Sequence, residues 1–117
     1  MTYTATFTFA KRQFDADFHR LDEQIAVAAR AIPGYLGEEA WENPATGLVA
    51  NVYHWETLEA LQQLMQHPVH RQAKGRQAEW LAGYQVVVSQ VLDVRGDGQL
   101  TALPLTAREQ PPGSARA

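Results

Sequence analysis

The order in which hydrophobic periodicity switches constrains this chain most. Thr2 to Phe9 reads T-Y-T-A-T-F-T-F, with Tyr3, Ala5, Phe7 and Phe9 on one face and threonines on the other. β-Branched and aromatic residues at period two predict a strand with two different faces. The period then changes. Phe14, Phe18, Leu21, Ile25, Ala28 and Ile32 recur at gaps of three or four, the stripe of an amphipathic helix. Asp15 and Asp17 lie in its first turn, where the helix dipole favours acids, and Pro33-Gly34 ends it.

A second strand is expected over Tyr35–Trp41, with Tyr35, Gly37, Glu39 and Trp41 sharing a face. Asn43 to Gly47 has turn chemistry, so Leu48–Trp55 returns as the other arm of a hairpin. Thr57 reads as an N-cap for a helix carrying Leu58, Leu61, Leu64 and Met65. Pro68 sits where a helix restarts, and His70, Ala73, Gln77, Trp80 and Leu81 share the face of that segment. Gly83 is expected to close it before a last strand over Tyr84–Asp93.

Strand, helix, strand, strand, helix, strand, with right-handed crossovers, gives the split βαβ, ferredoxin-like α+β fold: a four-stranded antiparallel sheet with helices on one face. Both parities of the last strand are apolar (Val87 and Val91; Val86, Val88 and Leu92). A second subunit is therefore expected to cover the other face, making a homodimer. Residues 1–95 form the expected domain and 96–117 an extension, with a short strand over Gln99–Leu105 and a mobile tail from Arg108.

Composition narrows the chemistry. With 117 residues and a net charge of −3, the chain has one domain's worth of sequence and no general attraction for nucleic acid. It has no cysteine, which removes thiol nucleophiles, disulfides and thiolate-ligated metals, and which fits a reducing cytoplasm. No apolar run approaches the ~18 residues of a membrane span, and Met1 to Arg20 lacks the pattern of a signal peptide.

Several segments together carry a resemblance. They are Pro33-Gly34-Tyr35-Leu36-Gly37 with Glu39-x-Trp41, then Tyr53-His54-Trp55-Glu56-Thr57-Leu58, then His67-Pro68-Val69-His70, and finally Trp80-Leu81-Ala82-Gly83-Tyr84. In this order they resemble the antibiotic biosynthesis monooxygenase family of dimeric α+β barrels, over about residues 3–94. The resemblance implies a pocket between the sheet and its own helices. It also implies cofactor-independent oxygenation of an aromatic, quinol-like molecule by O2. A deprotonated phenolic substrate supplies the electrons, so no flavin or metal is needed, and no glycine-rich dinucleotide fingerprint is present. The family also contains haem-degrading enzymes and proteins with no assigned activity, so a small-molecule-binding or stress-associated domain without catalysis is the alternative reading.

The spacing Asn51-x-x-x-Trp55 is similar to one in the family associated with holding substrate and the oxygenated intermediate. An amide can donate to a developing oxyanion, and an indole offers a flat wall. Tyr53 shares their face. Trp55 can equally anchor the strand-to-helix junction. His70, as a residue type whose unperturbed pKa lies near working pH, is the candidate proton acceptor, or else a packed histidine at a helix start. Arg76, with Arg71, is the candidate cation for a substrate anion, against a default of a solvated helix face. Phe18, Leu61, Leu64, Met65, Trp80 and Tyr84 are expected to line the pocket or simply to pack. His67 and His70 lack a third ligand in register, so no metal site is expected. Haem degradation is disfavoured, since Leu64, Lys74 and Thr6-Phe7-Thr8 stand where that branch uses tryptophan, a histidine ligand and asparagine.

Overall fold

The computed structural model describes residues 2–105 and 108–109. The opening alternation becomes β1 (Thr2–Lys11), which carries Phe9 into the core at 4% exposure. β1 pairs antiparallel with β3 (Val49–Trp55) on one side and β4 (Leu81–Val91) on the other. β2 (Tyr35–Glu42) pairs antiparallel with β3, giving the strand order β2-β3-β1-β4. α1 (Ala16–Arg30), α2 (Leu58–Gln66) and α3 (Pro68–Trp80) complete the ferredoxin-like α+β arrangement.

The helix boundaries follow local chemistry. Asp15 caps α1, its carboxylate accepting the Phe18 N–H at 2.9 Å, so Phe14 lies just before the helix and Ile32 just after it, not within its stripe as expected. Thr57 caps α2, accepting from the Ala60 N–H at 3.1 Å. His67 ends α2 and caps α3, its Nδ1 accepting from the Val69 N–H at 3.1 Å, and Pro68 follows in the first turn. A proline there gives up only an N–H that has no helical partner anyway.

The helices cover one face of the sheet, and the apolar parity of β1 meets them. Ala29, Trp55, Ala60, Leu61 and Leu64 form one buried cluster, while Phe9, Leu21, Trp80 and Leu81 form another. The register places Val49, Asn51, Tyr53 and Trp55 opposite Phe9, Phe7, Ala5 and Tyr3, so all eight face the helices.

Three expectations need correction. β4 starts at Leu81, which is already extended, so Gly83 lies inside the strand and does not end the helix. The pairing of β2 slips by one residue between Tyr35 and Gly37. Tyr35, Glu38, Ala40 and Glu42 therefore stand opposite Trp55, Tyr53, Asn51 and Val49 and share their helix-facing side, while Gly37, Glu39 and Trp41 face away. Finally, residues 99–105 form no strand, with turns and bends over 101–105, and the short pairing beyond the sheet joins β5 (Arg95–Gly96) in parallel to β6 (Arg108–Glu109). Pro104 lacks the N–H a strand would use and packs on Gly37 instead, where a Cβ would lie 2.6 Å from the proline's own Cβ. The tail expected to be mobile lies, apart from residues 108–109, outside the described residues.

Candidate functional site

Sheet and helices enclose a cavity of about 400 Å³, lined by members of both buried clusters. β1 contributes Ala5, Phe7 and Phe9 to its floor, β3 contributes Asn51 and Tyr53, and β4 contributes Tyr84 and Val86. Its roof comes from Phe18, Leu21, Asp22 and Ile25 of α1, Leu61, Leu64 and Met65 of α2, and His70, Ala73, Lys74, Gln77 and Trp80 of α3. A concave, mainly apolar chamber with a few polar groups is the ordinary form of a small-molecule site.

His70 lines the cavity from α3. Its Nδ1 is buried and makes no hydrogen bond among the described residues. Burial holds its pKa below the usual histidine value, and the positive charge of Lys74 adds to that, while the Met65 carbonyl acts in the opposite sense. The neutral ring is thus favoured near pH 7, with an unshared pair available on any unprotonated nitrogen.

Asn51 and Tyr53 stand together on β3. Burial and the negative charge of Glu38 raise the Tyr53 pKa far above the ordinary value, so its hydroxyl stays protonated. Both residues also border a side chamber of about 180 Å³, walled by Asp22, Ala26, Glu38, Glu39 and Ala40. The slip in β2 is what turns Glu38 toward this chamber.

Two of the residues selected from sequence do not line the cavity. Trp55 is fully buried behind it, its ring stacked at 6.3 Å on Tyr53 and edge-on to Tyr35 at 5.8 Å. Its indole N–H has no partner among the described residues. Arg76 is turned to the helix surface. Its guanidinium bonds Asp17 at 3.0 Å and Glu79 at 2.8 Å and lies 4.8 Å over the Trp80 ring. Two carboxylates already answer its charge, so it is not a free cation for a substrate anion. Asn51, Tyr53, His70, Phe18, Leu61, Leu64, Met65, Trp80 and Tyr84 are brought together around the cavity.

The sequence reading missed Asp22 and Lys74, which stand exposed at the cavity's rim on α1 and α3. Each lies four residues after a lining residue, Phe18 or His70, which is the helical spacing that would have identified it. Among the described residues, no group of three His, Cys, Asp or Glu side chains is placed to hold a metal ion. No helix among them is long and apolar enough to cross a membrane.

No protein-family model matches the chain. YqjZ, an uncharacterized protein of Bacillus subtilis (strain 168), is 28% identical over 90 residues, covering 76% of this chain and 78% of its own. Among solved structures, Rv0793 from Mycobacterium tuberculosis superposes with a TM-score of 0.67 at 18% identity, over 80% of this chain and 97% of that one. SnoaB, a cofactor-independent oxygenase from Streptomyces nogalater solved as an Asn-to-Ala variant, gives 0.66 at 11% identity, over 80% and 95%. A protein named as a candidate antibiotic biosynthesis monooxygenase from Deinococcus radiodurans gives 0.65 at 19% identity, over 82% and 97%. At these identities the likeness establishes a shared fold.

Proposed function

We propose that this chain is a cofactor-independent monooxygenase of the antibiotic biosynthesis type, oxidising an aromatic, quinol-like small molecule with O2. The observation that carries the reading is an apolar chamber lined by both Asn51 and His70, the ring of His70 having a buried Nδ1 with no partner among the described residues. The fold shared with SnoaB supports it.

The chemistry follows from those groups. His70 accepts the proton of an acidic hydroxyl or activated methylene, and the carbanion or phenolate that results is electron-rich enough to pass an electron to O2. Recombination forms a C–O bond. Loss of water from the peroxide then leaves a carbonyl, so a CH2 group loses four electrons while O2 yields the carbonyl oxygen and one water. Asn51 donates to the developing oxyanion, and Tyr53, kept protonated, offers a second donor from the same strand face. Trp55 supports Tyr53 from behind. The acting unit is a homodimer in the cytoplasm. Support for the dimer comes from Val87 at 46% exposure and Trp41 at 60%, both on the sheet face the helices leave open.

The test is oxygen uptake by the purified protein with a panel of anthrones, naphthols and quinols, without added flavin or metal. Asn51→Ala runs beside it as the control for autoxidation. Uptake clearly above that variant supports the reading. Equal uptake across the panel removes it, and phenolic binding without uptake assigns the cavity to a non-catalytic binding domain.

A further inference from the structure

Ionised side chains around the cavity are mostly answered within the protein. Glu38 accepts from Arg30 at 2.9 Å and from the Tyr35 hydroxyl at 3.1 Å. Glu39 is 2.8 Å from Nε2 of His54 and accepts from the Trp41 indole at 3.2 Å. Arg76 is taken up by Asp17 and Glu79.

Asp22 and Lys74 differ. Both line the cavity, from α1 and α3, and neither makes a hydrogen bond or ion pair among the described residues, with each other or with any third group. Asp22 borders the side chamber as well, so the acidic end of the cavity continues past Asn51 and Tyr53 into that annex. Lys74 stands one helical turn beyond His70, near enough that its charge bears on the imidazole. Among the described residues, Glu38 and Glu23 oppose the charge of Asp22 and His19 acts in the opposite sense, without a hydrogen bond or ion pair to it. An apolar chamber therefore has an unanswered cation beside His70 and an unanswered carboxylate at the annex. Burial and the charge of Glu38 push the Asp22 pKa up, so a positive partner there would relieve it.

We infer that the ligand of this cavity is an amphoteric aromatic molecule, with an anionic or acidic oxygen met by Lys74 and a protonated amine met by Asp22. The inference rests on reading the cavity as the aromatic substrate site. It adds the charge pattern of the substrate, and it assigns Lys74 and Asp22 as specificity-determining residues. Lys74 also takes the place expected for Arg76, holding the anion that forms when His70 removes a proton. The apolar lining accepts the ring system, while the two rim charges fix which way round it lies.

Calorimetric titration of the full chain at pH 7 with four naphthalene probes tests this. The probes are 6-(aminomethyl)-2-naphthoate, 2-naphthoate, 2-naphthylmethylammonium and neutral 2-naphthalenemethanol. The zwitterion is expected to bind roughly tenfold tighter than the neutral probe, the scale of one added hydrogen bond to a charged group. Lys74→Met should weaken only the two carboxylate probes, and Asp22→Asn only the two ammonium probes. Lys74→Gln and Asp22→Ser form a second pair should either first variant fold poorly. Equal affinity for zwitterion and neutral probe overturns the inference, as does a variant that shifts all four probes alike, or no binding by any of them. Oxygen uptake is scored separately. Turnover of neutral quinols with a flat probe series removes this inference and leaves the monooxygenase reading. Charge-coded binding without uptake does the reverse.

Discussion

Trp80, the last residue of α3, donates its indole N–H to the Asp15 carboxylate at 3.0 Å, and the same oxygen accepts the Phe18 N–H at 2.9 Å. One carboxylate thus starts α1 and fixes the end of α3, holding Trp80 and Phe18 edge-to-face at 5.6 Å where both line the cavity. Asp15→Ala removes the cap and leaves a buried indole donor unanswered. The expected cost is about 1–2 kcal/mol. Thermal unfolding should show a midpoint lower by several degrees, with partial recovery in Asp15→Asn; an unchanged midpoint contradicts the dual role.

His70 gives stability a definite dependence on pH. Its folded pKa lies below the unfolded value of about 6.5, so the unfolded chain binds the proton more readily. The contribution of neutral His70 is complete above about pH 6.5 and is lost as pH falls through the folded pKa. His70→Gln should flatten that part of the stability profile. Chemical-denaturation midpoints between pH 4.5 and 7.5, with an NMR titration of the ring, measure it. A ring pKa at the ordinary value would remove the effect, and one above it would reverse the sign.

Gly37 carries two separable constraints. Its φ of 147° is one that residues with a Cβ rarely adopt, and the added Cβ would meet Pro104. Gly37→Ala should destabilise by about 1–3 kcal/mol. Combined with Pro104→Gly, which removes the Cβ and ring atoms that the new side chain would meet, the loss should shrink but not vanish, because the backbone conformation is unchanged. Full additivity of the two changes in a double-mutant cycle would show that the proline contact carries no coupling.

Val87 lies on the open face of the sheet, opposite Thr6 of β1, and is 46% exposed. If a second copy covers that face, Val87→Glu should give a monomer while leaving secondary structure unchanged. Sedimentation velocity across a hundredfold concentration range is the measurement. A wild-type monomer throughout refutes the homodimer.

The fold was legible because its evidence is repetitive. Every turn of α1 and every second residue of β1 repeats the same apolar signal in the sequence, and Thr57 and Pro68 mark helix starts by chemistry that few other positions need. The site was legible only in part, for a physical reason: Phe18, Leu61 and Leu64 have the same spacing whether they fill a core or wall a chamber. Asp22 and Lys74 read as ordinary solvated positions, since nothing in composition tells a rim charge from a surface charge. Arg76 looked available because its partner Asp17 is 59 residues away in sequence. The slip in β2 left no mark either, because Tyr35 to Glu42 alternates acceptably in either phase.

That slip lets the entrance of β2 absorb a change of length without disturbing the annex. Removing Leu36 would delete the extra residue, so that Gly37 opposite His54 follows directly on Tyr35 opposite Trp55. Glu38 and Ala40 would keep their places at the annex, and the indole of Trp41 would stay on the other face. Chains of this architecture can thus gain or lose one residue at the strand's entrance while every residue that lines the cavity keeps its side.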